Sequence, residues 1–431
     1  MQNWRIGVLL HITIGLIGLS GMAMPTLSWG QASAPPPSDK PISPAYFGMH
    51  FHRSDAGTPW PGRGIGAWRL IDAHVSWFHL QPKKDRWEFQ KLDGYVAMAN
   101  KYGVDLLLPL AFSPGWAALR LNEKSAYGPG SASEPKEMAD WRNYVRTVAQ
   151  RYKGKIKAYE IWNEPNFPIF FSGTTESLVK LQKEAYEIIK SIDPDATVVS
   201  SAVTGGYPKA IEWFRQYIAA GGGRYADVIG YHFYFPEDEP EHAVVLAPKL
   251  RSILDQAGIN KPIWNTEAGW QIANEDGSRI TTHGVGSRWK LLDQRQAASY
   301  VIRALILTRF AGAERYYWYA WDNKRMGLME SATHLPKLAG RVYLALAQRL
   351  AGGKITECHR EGAVWQCSLV DKDGQKMRVL WAPDGQQAAV VPQPDWGNEI
   401  WRPVDESYER ISSPTPVSIT SEPVFFLRST K

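Results

Sequence analysis

The sequence has little cysteine: two residues in 431, Cys358 and Cys367. That excludes a disulfide-stapled scaffold, and two cysteines beside His359 do not make a four-ligand zinc site. The pair flanks Glu361-Gly362, where two hairpin strands would bring the thiols together, and an exported chain would let them bridge. Dense Lys/Arg stretches interleaved with aromatics are missing, which argues against nucleic acid as a partner. The net charge of +6 is mild, enough to favour an anionic polymer or membrane surface. Past the N-terminus no apolar run is long and uncharged enough to span a bilayer. Internal repeats are absent, and Gly64-Ile-Gly66 lacks the strand-to-helix setting of a phosphate-binding turn.

Aromatic residues are the excess: 19 Trp and 19 Tyr. A Trp-rich core accounts for most of them, but exposed Trp and Tyr also make stacking surfaces, and sugar rings are frequent partners. The N-terminus is laid out for export. Arg5 supplies positive charge, Ile6 to Met24 are largely apolar, and Gln31-Ala-Ser-Ala34 offers a cut site before Pro35-Pro-Pro37. Residues 1–34 read as a signal peptide, with an uncleaved inner-membrane anchor as the alternative. The mature chain is expected to be periplasmic or secreted, and a monomer. Residues 35–44 read as a Pro/Ser linker.

From Tyr46 onward short apolar runs alternate with helical patterns. Strands are expected at 46–51, 67–73, 105–112, 156–162, 197–203, 228–234, 262–267 and 315–322. Helices are expected at 92–102, 135–152, 175–192, 210–220, 243–257, 294–310 and 337–350. The first unit has only Gly/Pro-rich chain where its helix should be. Eight strands separated mostly by helices predict an α/β protein, a (β/α)8 TIM barrel over 45–351. After Gly352-Gly353 the pattern becomes short strands with Asp-Gly turns at Asp373-Gly374 and Asp384-Gly385. Residues 352–431 are therefore expected to form a small antiparallel β domain.

In such a barrel, active residues sit at the C-terminal ends of strands. The first strand ends in His50-Phe-His52, and the second carries Arg69 and Asp72. The third leads to Ser113-Pro-Gly-Trp116. The fourth runs Tyr-Glu-Ile-Trp-Asn-Glu-Pro-Asn through Asn166, and Pro165 ends its pairing so that Glu164 falls on the rim. The sixth gives His232-Phe-Tyr234. The seventh ends in a second carboxylate, Glu267. The eighth is Tyr316-Tyr-Trp-Tyr-Ala-Trp321-Asp322. Two carboxylates across one barrel mouth are what glycoside hydrolysis requires, one protonated and one ionised. Arg69 and Tyr234 suit the ionised partner, and His232 suits orienting a carboxylate or a sugar hydroxyl, although a strand His is as often a core residue. Glu160, in phase with Trp162 and Glu164, reads as a buried structural acid below them. The acidic run Glu237-Asp-Glu-Pro-Glu241 reads as a solvated loop face.

Asn-Glu-Pro after a fourth strand, His-x-Tyr on a sixth, Glu ending a seventh and Trp on an eighth resemble the clan A glycoside hydrolases. The finer motifs, Phe-Ser-Pro-Gly-Trp and Trp-Asn-Thr-Glu-Ala-Gly-Trp, are similar to family thirty-nine, particularly its bacterial members linked to exopolysaccharides. The resemblance spans roughly 46–322. It implies a retaining enzyme with Glu164 as acid/base and Glu267 as nucleophile. Asn163 would bond the hydroxyl next to the anomeric carbon. Arg69, His232 and Tyr234 would line the subsite of the cleaved sugar, with Trp321 as its floor and Trp318 as the alternative. Trp116, Trp270 and Trp289, on loops beyond strand ends, are either platforms for further sugars or local packing. Neither cofactor nor metal is required. The reading is an enzyme acting inside a bacterial exopolysaccharide. The alternatives are a non-catalytic polysaccharide-binding component of an export machine, which would have no need of both carboxylates, and a clan A endoglucanase or mannanase.

Overall fold

The computed structural model describes residues 40–275, 289–411 and 415–428. The expected signal peptide, half of the linker and most of the loop 271–290 lie outside the described residues.

Eight parallel strands form the centre: β1 (Phe47–His50), β2 (Ala67–Arg69), β3 (Asp105–Leu110), β4 (Ala158–Ile161), β5 in two pieces (Thr197–Val199 and Val203–Thr204), β6 (Ile229–His232), β7 (Ile263–Ala268) and β8 (Ala313–Trp318). β8 pairs with β1, and the two pieces of β5 stand at the two ends of the hydrogen-bonded order. The sheet therefore closes on itself through the fifth strand. Single parallel bridges from Asn163 to Ala202 and from Val199 to Val228 hold that seam. The strands are buried on both faces, so their sequences are continuous apolar runs and not alternations. Gly48 in β1 is required by close packing: a Cβ there would meet the Tyr317 ring at 2.5 Å.

Among the described residues, seven helices of twelve or more residues cover the barrel, with a short one at Trp77–Leu80. Thr175–Ile192 buries Leu178, Leu181, Ala185 and Ile188 on one face, and its Thr174 cap accepts a hydrogen bond from the Ser177 amide. The first unit has only a 3-10 turn, Ser54–Ala56. The helix Gln294–Phe310 starts in an Asp293/Gln296 capping box and is buried on every side from Ala297 onward. It lies between the barrel, which it touches at β8, and the C-terminal sheet. A helix enclosed in this way has no polar face to show.

The C-terminal sheet has six antiparallel strands: β9 (Lys354–Glu361), β10 (Val364–Val370), β11 (Lys376–Trp381), β12 (Glu399–Arg402), β13 (Ser407–Arg410) and β14 (Val424–Leu427), in the order β9-β10-β11-β14-β12-β13. A ribbon of Ala388–Val390 and Val417–Ile419 accompanies it. Cys358 and Cys367 are directly opposed on β9 and β10 and form a disulfide, with a Cα separation of 4.1 Å.

The acidic run after β6 departs from the sequence reading. Glu237 and Asp238 are exposed, but Glu241 is 5% exposed. Its two oxygens accept from Arg303 Nε at 2.8 Å and Nη2 at 2.6 Å, and one also accepts from Trp381 Nε1. Arg303, wholly buried, further binds Glu239 and, at 2.8 Å, Asp384 in the Asp-Gly turn of the β domain. Half of the run is thus a buried anionic clasp around one arginine, joining the β6 loop, the helix Gln294–Phe310 and the C-terminal sheet.

Candidate active site

β4 carries two of the central groups, and its end is backbone-strained. Trp162 has φ 68° and Glu164 φ 45°, left-handed values that non-glycine residues avoid. Such positions persist where surrounding contacts over-determine them. Here the Trp162 amide bonds Leu110 O, the Glu164 amide bonds Ala202 O, and the Trp162 indole bonds Phe170 O. The turn places Asn163 and Glu164 side by side at the barrel mouth.

Arg69, at the end of β2, is the hub. Its Nε donates to Glu160 Oε2 at 2.6 Å, Nη1 to Glu267 Oε2 at 2.7 Å and Nη2 to Asn163 Oδ1 at 2.7 Å. Burial opposes its charge, and Glu160 and Glu267 more than offset that, so its pKa is raised. Glu160 also accepts from Thr266 Oγ1 at 2.7 Å and is fully buried below the rim. Arg69 is itself 0% exposed and reaches the barrel mouth only through Asn163 and Glu267, so it does not line the mouth directly as the sequence reading had it.

The two rim carboxylates have different companions. Glu267 accepts from Arg69 and, on its other oxygen, from Tyr234 OH at 2.8 Å. Glu164 meets His232 Nδ1 at 2.9 Å. Burial pushes the Glu164 carboxyl up to about 7, against the pull of Thr204 and Arg69. Burial raises Glu267 too, with His232 and Arg69 pulling it back. Burial also holds His232 down to about 4, so that ring is neutral near pH 7 and the standing charge beside Glu267 is that of Arg69. A direct ion pair with a hydrogen-bonding cation favours the ionised form far more than a neutral imidazole does. The direct cation thus favours the ionised form at Glu267, while burial favours the protonated form at Glu164. A Glu164 oxygen, a His232 nitrogen and a Glu267 oxygen all lie within 4.8 Å of one another. Three such ligands could grip a metal ion, but Arg69 already occupies the place of a cation at Glu267.

Around this pair stands a ring of aromatic and acidic groups. Asp72 accepts from Tyr127 OH and Tyr319 OH, both at 2.6 Å. The Tyr319 ring lies 5.2 Å from His50 and 4.9 Å from His52, and Glu267 is among the charges that act on it. Asp322 ties the β1 loop to the rim through the His52 and Arg53 amides and Thr58 Oγ1. Trp289 packs against Tyr234 at 5.5 Å.

Three of the expected platforms do not face the mouth. Trp321 is 1% exposed, packed against Phe51, and Trp318 is buried between Trp270 and Tyr316. β8 ends at Trp318, so alternation counted past that residue no longer holds, and Tyr319 takes the place assigned to Trp321. Trp270 is also 1% exposed, its indole bonded to the carbonyls of Phe235 and Asp238. Trp116 is half-buried against Trp77, and its indole donates to Gln81 O at 2.9 Å. Thr204 and Tyr319 are missing from the sequence reading. Both lie where a strand breaks or has just ended, and periodicity gives no signal there. A cavity of about 730 Å³ lined by Arg215, Arg224 and Lys261 lies by the loop that enters β7, at the opposite end from Glu164.

A closed (β/α)8 barrel with glutamates ending its fourth and seventh strands, each in a different electrostatic setting, is the architecture of the clan A glycoside hydrolases, and this chain shares that fold with them. The family model "Glycosyl hydrolases family 39" matches residues 67–268, from the start of β2 to the end of β7. The chain is thus family 39-like. A β-xylosidase of Caldicellulosiruptor saccharolyticus is 30% identical over 138 residues, which are 30% of this chain and 27% of that protein. The alignment therefore spans about a quarter of the curated relative's length. Among solved structures, a family 39 glycoside hydrolase from Bacteroides cellulosilyticus WH2 superposes with TM-score 0.67 at 17% identity, over 90% of this chain and 81% of that one. A glucosidase from Croceicoccus marinus gives 0.62 at 14% identity, over 91% and 98%. At these identities the likeness is one of fold.

Proposed function

We propose that the protein is a retaining glycoside hydrolase that cleaves O-glycosidic bonds within a bacterial exopolysaccharide. The observation that carries the mechanism is the spacing of Glu164 and Glu267, whose nearest oxygens fall within 4.8 Å. Retaining enzymes hold their carboxyl groups about 5–5.5 Å apart, and inverting ones leave room for a water at roughly 6.5–9.5 Å. The Glu267 carboxylate attacks the anomeric carbon as protonated Glu164 gives its proton to the leaving oxygen. The C–O bond breaks and a glycosyl ester forms on Glu267. Glu164, now a carboxylate, takes a proton from water, which attacks the same carbon and frees Glu267. Arg69 and Tyr234 keep Glu267 ionised for the attack, and Asn163, fixed by Arg69, offers its amide to the adjacent hydroxyl. The export signal read in residues 1–34 supports action on an extracellular polymer, either free or held at the inner membrane.

A second reading, an exo-acting β-xylosidase, is favoured by the name of the curated relative that is 30% identical over 138 residues. One screen separates the readings: purified bacterial exopolysaccharides and 4-nitrophenyl β-xyloside, followed by reducing ends and product length. Long products from a polymer support endo action, and release of single sugars supports the xylosidase. In either case Glu267→Gln should abolish turnover and keep sugar binding. Turnover of that variant at the parental rate refutes the mechanism.

A further inference from the structure

Tyr234, the hydrogen-bond partner of Glu267, also lines a cavity of about 340 Å³. Its other walls include Tyr207, Phe235, Glu237 and Asp238 from the loops after β5 and β6, and Lys249 from the helix Ala243–Gln256. That volume is the small end of the range for ligand pockets, roughly 300–1,000 Å³, and fits a mono- or disaccharide better than a long chain.

Tyr207 is the feature that makes it a site. Its side chain is 41% exposed, one of the few large aromatics of the described residues that is so open. It is also the N-cap of the helix Pro208–Ala219 and makes no side-chain capping bond. Ser, Thr, Asp or Asn would serve the helix better, so helix formation does not account for a tyrosine here. The backbone is shaped around its ring. Gly205 has φ 98°, and a Cβ on it would collide with the Tyr207 ring. A Cβ on Gly206 would crowd the Phe235 ring at 3.2 Å. The two glycines let the chain fold back so that Tyr207 lies against Gly205 on one side and open space on the other.

The same loop is coupled to the proton donor. Thr204, three residues before Tyr207, is near enough to the Glu164 carboxyl to favour its ionised form. Asn166, two residues after Glu164, accepts from the Thr204 amide at 3.0 Å and donates to Thr204 O at 3.1 Å and Tyr207 OH at 3.3 Å. Phe167, 37% exposed, follows on the same turn, its amide bonded to Glu164 O at 3.0 Å. Tyr207 thus stands beside the turn that carries Glu164, near enough for the Glu164 charge to act on its hydroxyl. A sugar ring presents C–H faces to an aromatic platform and hydroxyls to its rim, and Glu237, Asp238 and Lys249 supply polar groups there.

We propose that Tyr207, with the cavity beneath the β6 loop, forms a subsite for the sugar on the leaving-group side of the scissile bond. The inference rests on the glycosidase reading for its orientation relative to that bond. It makes the protein selective for oligosaccharides that continue past the cleaved linkage, and it gives the glycosyl-enzyme a place to hold an acceptor sugar.

The test is a binding titration on protein carrying Glu267→Gln, so that nothing is consumed. The probes are xylo-oligosaccharides of one to four units and fragments of the same lengths from any polysaccharide the parent protein degrades. Affinity should rise from monosaccharide to longer probe. Adding Tyr207→Ala should remove about tenfold of that rise, about 1.4 kcal/mol, and leave monosaccharide binding alone. Tyr207→Phe should keep the rise to within about threefold, because the face and not the hydroxyl does the stacking. Thermal melting checks that each variant is folded. The proposal is overturned if affinity does not grow with length in either series, or if the growth survives Tyr207→Ala. Failure of the glycosidase reading shows separately, as absence of turnover by the parent protein, which the titration does not read.

Discussion

Replacing Glu164 by Gln should stabilise the protein at alkaline pH while disabling it. The carboxyl is raised from 4.5 to about 7 by burial. The unfolded chain, with its ordinary pKa, releases the proton earlier than the folded protein does. Between 4.5 and about 7 the folded state binds more protons, so stability falls as pH rises through that window and is flat above it. At about 1.36 kcal/mol per pH unit, ionising Glu164 in place costs the folded state about 3 kcal/mol. Glutamine keeps the shape and removes the ionisation. Relief of Glu267, whose pKa is raised in part by the Glu164 charge, acts in the same direction. Urea unfolding followed by Trp fluorescence would measure both proteins at about pH 4 and about pH 8. The advantage of the variant over the parent should grow by about 3 kcal/mol between the two conditions. A difference that stays constant within about 1 kcal/mol would mean that Glu164 is not a buried, raised acid, and its assignment as the proton donor would fall with it. The kinetic counterpart is an alkaline limb of kcat/KM near 7 in the parent that is absent from the variant on a substrate with a good leaving group.

Other perturbations follow from the same contacts. Arg69→Met removes the cation that lowers the Glu267 pKa, so the acidic limb of the pH–rate profile should move to higher pH; an unmoved limb would show that Arg69 only packs. Arg303→Met leaves Glu239, Glu241 and Asp384 clustered without their counter-ion, and should cost roughly 3–5 kcal/mol in denaturant unfolding; a loss below about 1 kcal/mol would show the clasp to be unimportant. Cys358→Ser opens a bridge between residues nine apart, and the loop-entropy account predicts a loss of about 2–3 kcal/mol. Reductant should lower the parent's urea midpoint and leave that of the variant where it is.

The barrel was legible because its signals are repeated and local. Helix 175–192 could be bounded to the residue, since its apolar spacing, its Thr174 cap and the Asp193-Pro194 stop agree. β12 and β13 escaped notice. Glu399–Arg402 and Ser407–Arg410 are short and rich in charge, and β13 is an exposed edge strand that needs no apolar face. At the site, Glu164 and Glu267 stand out because each ends an apolar run at a fixed place in the strand count. Tyr319 and Thr204 do not, because their positions depend on where strands stop pairing. The reading of Glu237 to Glu241 as solvated failed for a different reason. Its partner Arg303 is 62 residues from Glu241, and no local pattern reveals an ion pair across that distance.

The fully buried Glu160 has a role that neither glutamate on the rim can fill. With Glu164 protonated, the core of the site holds the Arg69 guanidinium between the carboxylates of Glu160 and Glu267. One cation and two anions leave a net charge of minus one, enclosed where water is scarce. The transition state of glycoside cleavage resembles an oxocarbenium ion, and fixed negative charge beside a developing positive one is the arrangement that lowers its energy without reorganisation. Without Glu160, Arg69 would neutralise Glu267 one to one and weaken both its field and its attack. With Glu160, Arg69 is shared: it still holds Glu267 ionised and Asn163 in place, while the second carboxylate cancels the excess positive charge. Burial, with the Asp72 charge beside it, opposes ionisation of Glu164 and outweighs the pull of Arg69, which Glu160 and Glu267 already share.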